Sequence, residues 1–93
     1  MIARQHSGEV TSSFMIEGII NFLFGESVRA EELLKRYIFK IVPMVNVDGV
    51  VHGNTRAELI GADPNRKWSN PHKIRNPIIY TLKKAIEKDK HNI

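Results

Sequence analysis

Tyr37-Ile38-Phe39-Lys40-Ile41-Val42-Pro43-Met44-Val45 is the stretch on which the fold turns. It is almost continuously apolar and rich in β-branched and aromatic side chains. That pattern predicts a strand covered on both faces, as in parallel sheets. Pro43 lacks a backbone N–H, so it belongs near the strand's end, where ladder donors are no longer needed. Upstream, Met1 to Arg4 reads as the tail of another strand. Thr11, Ser12 and Ser13 offer a helix cap. Met15, Ile16, Ile19, Ile20, Phe22 and Leu23 then recur at helical spacing on one wide face, and Gly25 is a stop. A second short helix fits Ala30 to Arg36.

Downstream of the strand, Asn46 to His72 is polar and punctuated by Gly49, Gly53, Gly61 and Pro64. Loops of that length in a small domain are functional or disordered. Asn46 and Asp48-Gly49 predict a turn built on side-chain and backbone hydrogen bonds. Asn76-Pro77 is a cap and first-turn signal, and Ile78, Leu82, Ala85 and Ile86 give the following helix, Asn76 to Lys88, a buried stripe. The order is strand, helices, strand, loop, helix: an α/β fold with a right-handed crossover between parallel strands. Such a crossover has both strands leave the same edge of the sheet, where ligands of open α/β sheets bind. His6 and Glu9 are therefore expected to meet the Asn46 to Arg66 loop in space.

The 93 residues allow at most one small domain, with 42% hydrophobic and 26% charged residues. Cysteine is absent, which excludes disulfides and thiolate metal sites and leaves His, Asp and Glu as metal ligands. The formal charge of +4 owes much to Lys83, Lys84, Lys88 and Lys90. Interleaved with Glu87 and Asp89, these read as a solvated helix face. No nucleic-acid motif accompanies the charge, so no nucleic-acid partner is expected. No apolar run is long enough for a membrane span, and Met1 to Val10 lacks the apolar core of a signal peptide, so a cytoplasmic setting is expected.

His6-Ser7-Gly8-Glu9 sets an imidazole and a carboxylate three residues apart, where a strand end enters a helix. One turn of backbone can aim both at a single divalent ion, and such a thiolate-free pair suits catalytic zinc. If so, their ligating atoms lie within about 4 Å of each other. The bland alternative is an ordinary polar turn. His52, His72 and His91 are expected to be solvated. Arg56, Asn65 and Arg66 lie in the long loop. A guanidinium there can fork onto a carboxylate or stabilise an oxyanion, although exposed Arg and Asn in loops are commonplace. Trp68 is expected to anchor the loop by packing.

Taken in order, Ala3-Arg4-Gln5-His6-Ser7-Gly8-Glu9, Ile38 to Met44, Asn46-Val47-Asp48-Gly49-Val50, Gly53-Asn54-Thr55-Arg56 and Asp63-Pro64-Asn65-Arg66-Lys67-Trp68 resemble the zinc carboxypeptidases, specifically their cytosolic branch. The resemblance implies that residues 1–93 are a partial catalytic domain, a fragment of a mixed, largely parallel sheet flanked by helices. It implies one zinc ion held by His6 and Glu9, a carbonyl-polarising role for Arg56, and a grip on the substrate's terminal carboxylate by Asn65 and Arg66. It further implies hydrolysis of the last peptide bond of a peptide or protein, glutamates of tubulin tails included. Ser7, Val47 and Pro64 stand where the family usually has Pro, Pro and Leu. Pro64 restricts the backbone at Asp63 and removes a donor beside Asn65. The family's third ligand, a histidine on a strand after the helix of Asn76 to Lys88, and its catalytic glutamate lie beyond these motifs. His91 precedes that strand and does not take the ligand's role. On this reading the chain is an incomplete piece, inactive alone. Glu17 and Glu58 are poor substitutes for the base, Glu58 being expected to lack a partner. The alternative is a non-catalytic remnant that binds peptide carboxyl termini.

Overall fold

The computed structural model describes residues 1–90. The chain is a thin slab, 44 × 32 × 15 Å, with a radius of gyration of 15.1 Å; a compact domain of this length has about 12 Å. Its elements are α1 (Thr11–Leu23), α2 (Val28–Arg36), the short α3 (Val47–Val51), a 3₁₀ turn (Pro64–Arg66) and α4 (Pro77–Asp89). α1 packs on α2, burying Ile16, Leu23 and Ala30; Ile79 of α4 and Val45 complete most of the remaining apolar interior. His91, expected to be solvated, lies outside the described residues.

The strand expected at Tyr37 to Val45 is present only as a single paired position. Among the described residues the only β-pairing is a parallel bridge between Ile2 and Val42. Backbone bonds run from Val42 N to Met1 O at 3.0 Å and from Ala3 N to Val42 O at 3.0 Å. The parallel direction is the expected one. A regular ladder would next use Met44, but Ala3 O is reached by Val45 N at 2.9 Å instead. One extra residue is thus accommodated at Pro43-Met44, a bulge beside the ring that has no N–H to offer. On the other side, Tyr37 and Ile38 are 60% and 91% exposed. No described segment pairs alongside them, and an apolar run without partners does not make a strand.

The helices depart from expectation in detail. α1 begins at Thr11 with Val10 as its N-cap and no side-chain cap. Its serines serve the neighbouring turn instead. The wide apolar face divides: Ile16 and Leu23 are buried, while Phe14, Met15 and Phe22 are 70%, 65% and 44% exposed. In α4 the buried residue is Ile79; Ala85 and Ile86 are exposed. Pro77 occupies the first turn as predicted. Lys83 does not join the solvated face: its Nζ donates to the carbonyls of Trp68 and Ser69 at 3.0 and 2.9 Å. The expected turn at Asn46 is present and starts α3, with Asn46 Oδ1 accepting from Gly49 N at 2.9 Å.

Candidate functional site

The two parallel segments leave the same edge. Asn46 N donates to Arg4 O at 3.1 Å, so α3 and the 5–9 turn depart side by side. Arg4 has φ 54°, a left-handed conformation that costs a non-glycine residue about 1–2 kcal/mol. Its side chain and backbone hold the bend. Nε donates to Ser7 O at 2.7 Å, Nη1 to Ser13 Oγ at 2.9 Å, and the backbone N–H to Ser12 Oγ at 3.0 Å. Ser12 Oγ in turn donates to Glu9 O at 2.7 Å.

This bend places His6 Nδ1 3.0 Å from Glu9 Oε1. Two tetrahedral ligands at about 2 Å from one metal stand about 3.3 Å apart, so the predicted convergence is geometrically met. His6 is 7% exposed. Its other nitrogen, Nε2, lies 2.9 Å from Asp63 Oδ1, 57 residues away. When Nε2–H donates to Asp63, Nδ1 presents a bare lone pair to the Glu9 carboxylate. Two such donors at 3.0 Å require a positive centre between them, a proton or a metal ion. A carboxylate behind a ligating histidine is also the usual device that fixes its tautomer. The donor set therefore fits zinc, with two protein ligands. Among the described residues no group of three or more His, Cys, Asp and Glu forms a metal cage. His52 and His72 are exposed and committed locally: His52 Nδ1 lies 2.8 Å from Asp48 O, and His72 Nδ1 accepts from the N–H groups of Ile74 and Arg75.

Asp63 is the residue that sequence reasoning misses. Besides His6, it accepts from Arg56 Nε on Oδ2 at 2.7 Å and from Asn65 N on Oδ1 at 2.9 Å. Arg66 Nε approaches Oδ2 at 3.8 Å. Partial burial alone would raise its pKa. Hydrogen bonds from His6, Arg56 and the Asn65 backbone, with the charge of Arg56, outweigh that and hold it well below the ordinary carboxylate range. Pro64 suits this arrangement: Asp63 is extended, as a residue before proline should be, with φ −73° and ψ 116°. Pro64 then starts the 3₁₀ turn that Asp63 caps. The signal was in the sequence: an Asp two residues before Asn65 in Asp-Pro-Asn-Arg is a capping pattern.

Arg56 is thus tied into the same cluster as His6, while its side chain stays half exposed. Asn65 and Arg66 sit beside it, exposed, with the Arg66 side chain 75% accessible. Trp68 anchors the loop, but through a polar bond: Nε1 donates to Gln5 Oε1 at 2.9 Å. The loop is stitched to the His6 turn at a second point. Ser7 Oγ donates to Asn54 O, and Gly8 N donates to Thr55 O at 2.6 Å. Two surface hollows, one at the α1–α2 junction around Phe24 and Val28 and one between Asn70-Pro71 and α4, are lined by none of these residues.

Gly8 is held there by contact. A Cβ would lie 2.7 Å from Thr55 O and 3.3 Å from Thr55 Cα, both backbone atoms. Gly8→Ala is expected to push the two segments apart and cost about 1–3 kcal/mol. Chemical denaturation checks this; an unchanged midpoint would show that the segments are not clamped at this point.

Residues 1–87 match the zinc carboxypeptidase family. Cytosolic carboxypeptidase 1 of Xenopus laevis is 45% identical over 87 residues, covering 94% of this chain and 7% of the relative. Cytosolic carboxypeptidase 6 of Caenorhabditis elegans is 45% identical over 92 residues, covering 99% of this chain and 20% of the relative. The crystal structure of a metallo-carboxypeptidase from Burkholderia cenocepacia superposes with a TM-score of 0.88 at 39% identity, over 94% of this chain and 24% of that one. The chain thus spans a minor part of each protein it resembles.

Proposed function

The chain belongs to the zinc carboxypeptidase family, and from that premise we propose that it is a partial catalytic domain of the cytosolic branch, contributing two zinc ligands and the carboxylate clamp to a metallocarboxypeptidase. The observation that carries the reading is the bonded chain Glu9–His6–Asp63–Arg56, with contacts of 3.0, 2.9 and 2.7 Å. In this proposal Glu9 Oε1 and His6 Nδ1 hold the metal, and Asp63 holds His6 in the Nδ1-ligating tautomer. Zinc supplies Lewis acidity when bound there. Arg56 would swing its guanidinium toward the scissile carbonyl, since only Nε is tied to Asp63. Arg66, with its long side chain exposed, would fork onto the terminal carboxylate of a peptide, with the Asn65 amide adding a donor. Terminal glutamates, those of tubulin included, are the proposed substrate class, and the cytoplasm the proposed setting. No helix among the described residues is long and apolar enough to cross a membrane. No nucleic-acid partner is proposed.

Titration calorimetry with zinc tests the ligand pair. Structural zinc sites with four protein ligands bind with about 10–16 kcal/mol. Two ligands should give about half, a Kd of roughly 1–200 µM. His6→Ala should abolish the heat. Binding unaffected by His6→Ala would remove the metal assignment. A second reading is a non-catalytic module that binds peptide carboxyl termini through Arg56, Asn65 and Arg66. It is favoured by the exposure of Asn65 and Arg66 beside the half-exposed Arg56. Chemical-shift changes at Arg66 with an acetyl peptide bearing a free carboxylate, absent with its amide, would support the grip common to both readings.

A further inference from the structure

The loop that carries Arg56 and Asp63 folds back on itself. Glu58 N donates to Ala62 O at 3.0 Å and Gly61 N to Glu58 O at 2.9 Å. Gly61 takes φ 75°, the left-handed turn position that suits glycine. Leu59 and Ile60 form an exposed tip, and Arg56 and Asp63 bond across the base. Glu58 itself turns inward. It is 4% exposed, and its Oε1 accepts from Asn76 Nδ2 at 2.7 Å. This corrects the expectation that Glu58 is unpartnered. Asn76 is equally buried, at 4%, and is fixed at the start of α4. Its N–H bonds to His72 O, its carbonyl accepts from Tyr80 N, and its Oδ1 accepts from His72 N. One residue before Glu58, the carbonyl of Ala57 accepts from both Asn46 Nδ2 and Asn54 Nδ2 at 3.1 Å.

Burying a carboxylate is costly unless a strong donor meets it. Here the donor belongs to a helix start that is itself fixed. We infer that Glu58 is a positioning residue: its bond to Asn76 locks the base of the loop against α4 and thereby holds Arg56 in register with Asp63 and His6. Asn46 and Asn54 fix the backbone at one level, and Glu58 adds the side-chain tie that keeps the returning arm, Ala62-Asp63, opposite Arg56. The catalytic meaning of Arg56 rests on the function proposed above, but the tie itself is a property of the metal-free chain.

The test reads the Arg56–Asp63 contact directly, without metal or substrate. In the full chain, the Nε–H of Arg56 gives a ¹⁵N–¹H signal, assigned by its loss in Arg56→Lys. In Glu58→Ala its solvent exchange should quicken about tenfold, the equivalent of one lost hydrogen bond. The backbone amides of α1 should keep their protection. Glu58→Gln keeps an oxygen for Asn76 and should restore slow exchange. Should Glu58→Ala fail to fold, Asn76→Ser cuts the same bond from the helix side while leaving a residue favoured at helix starts. Unchanged Arg56 exchange in a folded variant would overturn the inference. So would equal acceleration of the α1 amides, which would mark a general stabilising role. Either result leaves the zinc and carboxylate titrations to judge the proposed function separately.

Discussion

Incubated with saturating zinc and a peptide ending in several glutamates, the 93-residue chain is expected to release no terminal glutamate above the buffer rate. Hydrolysis needs a Lewis acid in an ordered cage and a base positioned to take a proton from water. Catalytic zinc sites use three protein ligands, and the described residues bring two together. Glu9, Asp63, Glu58 and Glu17, the carboxylates considered as base, are occupied or misplaced. Glu9 faces His6 at 3.0 Å. Asp63 is taken by His6, Arg56 and Asn65. Glu58 is buried against Asn76, and Glu17 is exposed on α1. A general base alone contributes about 10²–10⁴ to rate, within total accelerations of about 10⁶ or more. The expected deficit therefore reaches the detection limit of a glutamate-release assay. Zinc-dependent turnover that disappears in Glu9→Gln would show that a base exists among these residues.

Asp63→Ala is expected to dismantle the site more thoroughly than any other single change. One carboxylate accepts from His6, Arg56 and Asn65, and Arg66 stands 3.8 Å away. Without it, His6 loses the partner that selects its tautomer, and Arg56 loses the contact that ties it to the site. Removing the carboxylate behind a ligating histidine costs about 10–100-fold in metal affinity. From the proposed two-ligand site, that should carry the zinc heat toward the detection limit, and the Arg56 Nε–H signal should lose its protection as well. Asp63→Asn should fall between, since an amide oxygen still accepts from His6 while its NH₂ opposes Arg56. Full zinc affinity in Asp63→Ala would show that His6 is oriented by something else. The pH dependence has a definite sign. The folded pKa of Asp63 lies below its ordinary value, which is about 3.9 in an unfolded chain. The unfolded state takes up the proton first as pH falls. The stabilisation by Asp63 is therefore complete above about pH 5 and drains away below about pH 4. The gap in melting temperature between the chain and Asp63→Ala should be flat from pH 7 to 5 and close in stronger acid.

That His6, Glu9, Arg56, Asn65 and Arg66 gather around one point was legible in short motifs of fixed order, and the shared sheet edge explains how distant motifs can meet; their roles rest on the proposal above. The capping role of Asp63 had a local signal in Asp-Pro-Asn-Arg, but its bond to His6 and the burial of Glu58 against Asn76 did not, because those partners lie 57 and 18 residues away in sequence. A carboxylate in a polar loop looks the same whether it is solvated or buried. The strand expected at Tyr37 to Val45 is met only at Val42 among the described residues, for the complementary reason. Apolar continuity reports what a segment would do with neighbours on both sides, and Ile38, 91% exposed, has none among the described residues. Pro43 was placed correctly near the end of pairing, but the bulge it makes depends on the register of Ala3, which composition does not encode. The helix boundaries followed local propensity and are close; the buried face of α4 shifted to Ile79 because tertiary contact chooses among neighbouring apolar residues.

The contacts that build the site join residues far apart along the chain: His6 to Asp63 across 57 positions, and Gln5 to Trp68 across 63. Helical turns form in about a microsecond or less, whereas long loops must surrender closure entropy before such contacts repay it. The α1–α2 hairpin is consequently expected to form early, and the His6–Glu9 turn to gain its backing carboxylate late. Substitutions at Asp63, Glu58 or Trp68 should therefore show in the unfolding rate while leaving the refolding rate nearly intact. A ligand that bridges His6 and Glu9 would then act as a kinetic latch, slowing the first step by which the chain comes apart.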